Sequence, residues 1–139
     1  MGKRRSSREL ALKFLYQIEL NKGIPEEQMK EFWERNPCQD DIQEFTEDLI
    51  KTFSENKDEI DGLLEKCSDN WSLARMAVID RNLLRLAVCE LLFKKNVPVK
   101  AVIDEAVEIA KKYGCGDSAS FVNGVLDRIA KEAPCRPLQ

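Results

Sequence analysis

Hydrophobic residues recur along this chain at steps of three and four, which is the spacing of one face of an α-helix. The first series predicts an amphipathic helix that begins with a capping box at Ser6 and Glu9. Its apolar face consists of Leu10, Ala11, Phe14, Leu15 and Ile18. A second stripe is predicted on the opposite, solvent side, and it consists of Arg5, Arg8, Leu12 and Tyr16.

Two further helices are predicted before residue 70. Pro25 suits the first turn of a short helix that ends at Asn36 and Pro37. Between residues 42 and 67 the apolar positions keep the three-four spacing, interrupted only by the polar Asn56. This pattern predicts one long helix with Asn56 as the site of a candidate kink.

Capping residue types mark the starts of three helices in the second half of the chain. The predicted caps are Ser72 for a short helix to Ile79, Asp80 for the next helix, and Asp117 or Ser118 for the last, which runs to about Lys131. Residues 99–113 form another predicted helix, which ends at Gly114. Gly124 lies inside the last helix, where glycine costs about 1 kcal/mol relative to alanine, so we expect it to permit close approach of another helix, with a ligand as the alternative.

The length and composition suit one all-helical domain. A chain of 139 residues with 43% hydrophobic and 34% charged side chains can bury its own core. We predict an all-α fold, a compact bundle of about seven helices, over residues 1–139. A boundary near residues 69–72 would divide it into subdomains of about 1–70 and about 71–132, followed by a loose tail over 133–139.

Residue types expected of an enzyme or a metal centre are scarce. The sequence has no His, and its five Cys never form a C-x-x-C pair. We therefore predict a protein that is not an enzyme and that uses no cofactor and no metal. No stretch reaches the roughly 20 apolar residues of a membrane span, so we expect a cytoplasmic protein without membrane contact.

Charge is distributed unevenly along the chain. Residues 1–13 carry five basic side chains and one acidic side chain, a net charge of +4, whereas the remainder carries 17 basic and 24 acidic groups, a net charge of −7. Basic and aromatic side chains on one helix face favour contact with RNA phosphates and bases, and a solvated basic tail is the alternative.

Several short blocks follow one another in order along the sequence. The central block is RMAVIDRNLLRLAVCEL at residues 75–91, followed by VP at 97–98, IDEA at 103–106, IAK at 109–111, DS at 117–118 and FVNGVLD at 121–127. The chain opens with RRSSRE at residues 4–9 and LY at 15–16. These blocks, which together span nearly the whole chain, resemble the NusB family of bacterial antitermination factors, and the opening is similar to the arginine-rich start of that family.

The resemblance implies a fold of two helical subdomains packed side by side and a role in processive antitermination of ribosomal RNA operons. It implies a pairing with NusE, a small-subunit ribosomal protein, and binding of the pair to single-stranded boxA leader RNA. It further implies a complex with RNA polymerase and other Nus factors. Whether the free protein is a monomer or a homodimer is left open.

Candidate site residues follow from the patterns and the resemblance together. The expected RNA contacts are Lys3, Arg4, Arg5, Arg8, Tyr16, Asp117, Ser118 and Phe121. Arginine suits phosphates and stacks on bases, a helix N-terminus offers free N–H groups to a phosphate, and an aromatic one turn later can stack on a base. Asp117 or Ser118 would otherwise act only as a cap. The expected protein-partner contacts are Asp80, Arg81 and Glu90, for which a cap and two surface charges are the alternative.

Two other functions are open at this point. The chain could be the NusB-like RNA-binding part of a ribosomal RNA 5-methylcytosine methyltransferase, or a helical interaction adaptor that binds no RNA. A salt titration separates the adaptor from an RNA binder, because each phosphate contact to single-stranded RNA adds about −0.7 to the slope of log affinity against log salt.

Overall fold

The computed structural model describes residues 2–20, 25–68, 72–94 and 96–132, and the predicted tail lies outside these ranges. The described residues form seven α-helices and one 3₁₀ turn, with no strand among them. The helices are α1 (Gly2–Leu20), α2 (Pro25–Arg35), α3 (Asp40–Glu55), α4 (Lys57–Cys67), α5 (Val78–Phe93), α6 (Val99–Tyr113) and α7 (Ser118–Glu132), with the 3₁₀ turn at Leu73–Arg75. The all-α prediction and its count of about seven helices are confirmed.

Helix α5 is the centre of the molecule. It contacts α1, α3, α4, α6 and α7. A helix in this position must be buried on every side, and ten of its sixteen residues are buried, Asp80, Asn82 and Glu90 among them. The buried residues of the chain form one continuous cluster that includes parts of α1 to α7. The division into two subdomains stays a prediction.

Helix α1 is covered on two sides, which corrects one prediction. It contacts α2, α3 and α5, so the stripe that was expected to face solvent is partly enclosed. Arg8 is 8% exposed and Leu12 is 2% exposed, whereas Tyr16 is 40% exposed. The predicted solvent stripe is therefore wrong at Arg8 and Leu12, because a second layer of helices packs on that face.

The structure is interrupted at Asn56, where a kink was predicted, but the prediction of one long helix is wrong, because two separate helices form. Helices α3 and α4 meet at this residue, whose backbone N–H donates to the Phe53 carbonyl at 3.0 Å. The Asn56 side chain donates to the Thr52 carbonyl at 2.8 Å. A side chain that binds the backbone one turn earlier competes with the regular helix, so the chain bends here.

Three predicted helix starts differ from the structure. Helix α1 begins at Gly2, so Ser6 and Glu9 lie inside it and form no capping box. Helix α5 begins at Val78 after Ala77, so Asp80 lies in its first turn and is not its cap. Ser72 precedes only a three-residue 3₁₀ turn and makes no side-chain capping bond. A residue of a capping type caps a helix only where the preceding chain is not itself helical. Where the helix begins depends on packing, which the sequence pattern does not show.

Two glycines have opposite surroundings. A Cβ at Gly114 would lie 2.5 Å from the Ser118 Cβ and 2.8 Å from the Ala110 carbonyl oxygen, so only glycine fits this turn. A Cβ at Gly124 would meet no atom within 4 Å. The expectation that Gly124 allows a neighbouring helix of this chain to pack closely is therefore wrong.

None of the described helices is long and apolar enough to cross a bilayer.

Candidate RNA interface

Two of the three arginines of α1, Arg5 and Arg8, are bound by carboxylates from other helices. Arg5 donates from Nε to Glu105 Oε1 at 2.8 Å and from Nη2 to Glu105 Oε2 at 2.9 Å, joining α1 to α6. The hydrogen bond from Arg5 holds the pKa of the Glu105 carboxyl below its usual range. The Arg5 side chain is 35% exposed, so it still reaches the surface beside its partner.

Arg8 lies deeper and is fully paired. Its Nε and Nη2 donate to the two carboxylate oxygens of Glu90, each at 2.8 Å, and its Nη1 is 3.8 Å from Glu105 Oε1. Burial opposes the charge of Arg8, but the hydrogen bonds to Glu90 outweigh that effect and raise the pKa of the Arg8 guanidinium, so Arg8 stays charged. In this geometry Arg8 joins α1 to α5 inside the fold and does not reach the surface where RNA could lie.

The other cations of α1 are at the surface. Lys3 forms an exposed ion pair with Asp41 at 2.8 Å, and this bond lowers the pKa of the Asp41 carboxyl. The guanidinium of Arg4 lies 4.0 Å from the centre of the Phe45 ring, a cation-π arrangement. Arg4 and Lys13 are exposed and form no ion pair with any residue in the described ranges. They are the most available positive charges of this helix.

A polar contact ties the middle of α1 to the end of α6. The Glu9 carboxylate accepts the Tyr113 hydroxyl at 2.8 Å and the Lys112 ammonium at 3.1 Å. Burial and the bond to Glu9 raise the pKa of the Tyr113 hydroxyl. Because Arg5 and Glu9 both bind α6, this half of α1 is held in place and presents its remaining side chains in a defined position.

Tyr16 forms one wall of a surface hollow of about 520 Å³, which we call the Tyr16 hollow. Its lining brings together side chains from α1, the end of α2, the start of α5 and the end of α6. They are Glu9, Leu12, Lys13, Tyr16, Gln17, Leu20, Asn36, Ile79 and Tyr113. An exposed ring beside a free ammonium suits stacking of a base with its phosphate nearby.

Asp117, Ser118 and Phe121 meet in a second cavity of about 460 Å³, which we call the Phe121 pocket. Its other lining residues come from the chain around the start of α5 and from the turn before α7, and they are Arg75, Met76, Ala77, Asp80 and Cys115. The predicted RNA residues of α7 and the predicted partner residue Asp80 therefore belong to one cavity.

The turn before α7 is rigidly built. The Ser118 hydroxyl donates to the Cys115 carbonyl at 2.9 Å and accepts the Cys115 N–H at 3.2 Å. The Phe121 N–H donates to the Asp117 carbonyl at 2.9 Å, so Asp117 stands immediately before the helix, as predicted for a cap position. Ser118 is thus a structural residue of the turn, while the Asp117 side chain is exposed at the rim of the pocket.

The predicted protein-partner residues differ in accessibility. Glu90 is 2% exposed and bound to Arg8, so the expectation of a surface charge is wrong, because the central helix has no solvent face there. Arg81 binds Glu19 and donates to the carbonyls of Leu73 at 2.8 Å and Met76 at 3.1 Å. It holds the 3₁₀ turn against α5.

The Tyr16 hollow and the Phe121 pocket are neighbours. Ile79 lines the first and Asp80 the second, and Tyr113 lines the first while Cys115 lines the second. We call these two depressions together the α1–α7 surface. The sequence patterns did not single out Arg75 or Tyr113 as part of it, because these residues reach it only through the packing of α6 and the 3₁₀ turn.

Comparison with known proteins agrees with the sequence blocks. The family model described as the NusB family matches residues 5–131. The chain belongs to the NusB family. The transcription antitermination protein NusB of Thermodesulfovibrio yellowstonii is 43% identical over 143 aligned residues, covering 96% of this chain and 95% of the relative. The same protein from Myxococcus xanthus is 43% identical over 134 aligned residues, covering 94% of this chain and 96% of the relative.

Solved NusB structures have the same fold. A structure of NusB from T. maritima superposes with a TM-score of 0.85 at 43% identity, covering 93% of this chain and 91% of that one. A structure described as antitermination factors NusB and NusE in complex with double-stranded RNA superposes with a TM-score of 0.84 at 36% identity. The match covers 94% of this chain and 98% of that chain. The NusB chain of that complex is thus matched over nearly its full length.

Proposed function

We propose that this NusB-family chain is a cytoplasmic transcription antitermination factor that binds single-stranded boxA-type leader RNA of ribosomal RNA operons together with NusE. It acts without catalysis or cofactor, as part of a complex of RNA polymerase with other Nus factors. The observation that carries this proposal is the near-complete match to a NusB chain solved with NusE and double-stranded RNA. The curated relatives that match nearly the whole chain are named as antitermination proteins, which supports the same function.

The RNA site in this proposal consists of the start of α1 together with the α1–α7 surface. Lys3, Arg4 and Arg5 contact phosphates at the start of α1, and the exposed Lys13 continues the positive charge toward Tyr16. Tyr16 and Phe121 supply aromatic faces for bases, with Asp117 at the rim of the Phe121 pocket. Arg8 supports the site from below as the buried partner of Glu90.

The experiment is a titration of fluorescently labelled boxA-type RNA, and of a scrambled RNA of equal composition, with this protein alone and then with added NusE. We expect preferential binding to the boxA-type RNA that tightens with NusE. Equal and weak binding to both RNAs, unchanged by NusE, would contradict the proposal.

The salt dependence of binding separates this function from a helical adaptor. Three or four phosphate contacts predict a slope of log affinity against log salt of about −2 to −3. An adaptor with incidental arginines would bind its protein partner with little salt dependence and would show no affinity for RNA.

A further inference from the structure

Glu105 lies between two arginines of α1. It accepts two hydrogen bonds from Arg5, at 2.8 and 2.9 Å, and its Oε1 is 3.8 Å from Arg8 Nη1. Arg8 in turn donates two bonds of 2.8 Å to the buried Glu90. From the inside of the fold outward, the four side chains therefore alternate in charge in the order Glu90, Arg8, Glu105 and Arg5, and their formal charges cancel.

This series of ion pairs fixes the position of Arg5. The pair with Glu105 uses Nε and Nη2, which form the side edge of the guanidinium, and it leaves Nη1 without a hydrogen bond to any residue in the described ranges. A guanidinium carries five N–H donors in one rigid plane, so a group that is held by its side edge points its free end in a defined direction. Arg5 can therefore donate to a phosphate oxygen there while it stays bound to Glu105.

Glu105 also weakens the field of Arg5 at a distance. Two opposite charges in contact form a dipole, and the attraction that a dipole exerts on a distant phosphate falls off faster than that of a single charge. Lys3 is paired with Asp41 in the same way. The net charge of +4 that residues 1–13 carry in the sequence is therefore much reduced at the surface of the fold.

A purely structural tie between α1 and α6 does not require a charge at this point. Glu9 already joins the same half of α1 to α6, because it accepts the Tyr113 hydroxyl and the Lys112 ammonium. Arg8 has no need of a second carboxylate, since Glu90 meets it with both oxygens. The bidentate contact with Arg5 is thus the one that distinguishes Glu105.

We infer that Glu105 is a positioning residue that makes RNA binding by α1 selective. It holds Arg5 ready for a phosphate at one place, and it weakens the attraction of Arg5 for RNA backbones that lie elsewhere. This inference rests on the proposed RNA-binding function and adds to it a residue that the sequence patterns did not place in the RNA site. The charge of Glu105 lowers the affinity for every RNA, but it lowers it least for an RNA whose phosphate meets the free end of Arg5.

The test compares Glu105→Gln with the natural full chain, each together with NusE, in titrations of labelled boxA-type RNA and of the scrambled RNA at several salt concentrations. Glutamine keeps the shape and an acceptor oxygen for Arg5 and removes the charge. We expect the affinity for scrambled RNA to rise about threefold or more and the affinity for boxA-type RNA to rise less, so the ratio of the two affinities falls. The slope of log affinity against log salt should become steeper by about 0.7, the value for one further neutralised phosphate.

The matched control is Asp104→Asn. Asp104 is the neighbouring residue on α6, an exposed carboxylate whose ion pair among the described residues is with Lys100. Its substitution removes the same charge from the same helix, and it should leave the affinity ratio and the salt slope as they are in the natural protein. A change of equal size in Asp104→Asn would mean that only the total charge matters, which overturns the inference.

A second substitution tests whether Glu105 acts through Arg5. In the background of Arg5→Gln, the further change Glu105→Gln should alter neither the affinity ratio nor the salt slope, because two residues that act as one unit are not additive. An effect of Glu105→Gln that persists without Arg5 overturns the inference.

The remaining outcomes distinguish this inference from a structural role and from the proposed function. Unfolded protein lowers the apparent affinity for both RNAs by the same factor, so a loss of stability in Glu105→Gln does not change their ratio. A ratio that is unchanged or higher in Glu105→Gln overturns the inference and leaves the proposed function standing. Absence of RNA binding by the natural protein overturns both.

Discussion

Arg8 and Glu90 form a bidentate ion pair inside the fold, with both guanidinium-to-carboxylate distances at 2.8 Å and side-chain exposures of 9% and 2%. The pair joins the first helix to the central helix across 82 positions of sequence. Two charges removed from water must neutralise each other, so neither can be changed alone without leaving an uncompensated charge in the core.

We therefore expect Glu90→Ala to lower the free energy of unfolding by about 3–5 kcal/mol. The double variant Arg8→Met with Glu90→Leu should recover most of this loss, because apolar side chains of similar size fill the same space. Urea denaturation followed by circular dichroism measures both. Glu108→Ala, at a side chain that is 47% exposed, serves as the control and should stay within about 0.5 kcal/mol of the natural protein. A small effect for Glu90→Ala would mean that the pair does not hold the two helices together.

Arg4 and Lys13 are expected to carry more of the RNA affinity of α1 than Arg8, because they are exposed and have no ion pair among the described residues. Each of Arg4→Gln and Lys13→Gln should weaken RNA binding and reduce the steepness of the salt dependence by about 0.7. Lys66→Gln removes an exposed charge from α4, which packs against α5 and α7, and should leave both quantities unchanged. If the slope of log RNA affinity against log salt is the same for Arg4→Gln and Lys13→Gln as for the control Lys66→Gln, then Arg4 and Lys13 do not contact RNA phosphates.

Stability in acid should depend on Glu105. Its folded-state pKa lies below the ordinary value of 4.5 because Arg5 donates two hydrogen bonds to it. A depressed carboxyl pKa contributes stability that is complete above the ordinary value and is lost as the pH falls through the folded-state pKa. Free energies of unfolding measured from about pH 7 to about pH 3 should fall less steeply below about pH 4.5 in Glu105→Gln than in the natural protein. Equal slopes would show that the pair with Arg5 adds no stability.

Glycine substitutions should separate a tight turn from open helix surface. Gly114→Ala is expected to destabilise the fold by about 1–3 kcal/mol, because the new methyl group would overlap the Ser118 side chain and the Ala110 carbonyl. Gly62→Ala and Gly124→Ala place a methyl group in open space and should each stabilise their helix by about 1 kcal/mol. Thermal unfolding of the three variants provides the comparison, and a neutral Gly114→Ala would disprove the steric argument.

The cysteines should differ sharply in reactivity. Burial raises the pKa of the Cys89 thiol to about 12, whereas Cys115 is exposed in the turn before α7. Because the thiolate is the reactive form, iodoacetamide at about pH 8 should label Cys115 in the native protein and Cys89 only after denaturation. Peptide mass spectrometry over a time course reads out both sites. Early labelling of Cys89 would indicate that the core opens frequently around α5.

The sequence by itself determined the helical class, the approximate number and extent of the helices, the position of the irregularity at Asn56 and the exposed aromatic at Tyr16. Each of these depends on spacing or chemistry within about one helical turn, which a linear pattern records directly. The blocks at residues 75–91 and 121–127 also identified the family, which the match over residues 5–131 confirms.

Only the tertiary structure decided which of these side chains are available. It buried Arg8 against Glu90, occupied Arg5 with Glu105, enclosed Asp80 Oδ1 and brought Arg75 beside Phe121. Burial and charge pairing depend on which helix, distant in sequence, packs on each face. Helices α1 and α5 both have neighbouring helices on faces that their own hydrophobic periodicity did not mark as apolar. The same residue pattern therefore allowed several charge pairings, and the packing around the central helix selected one.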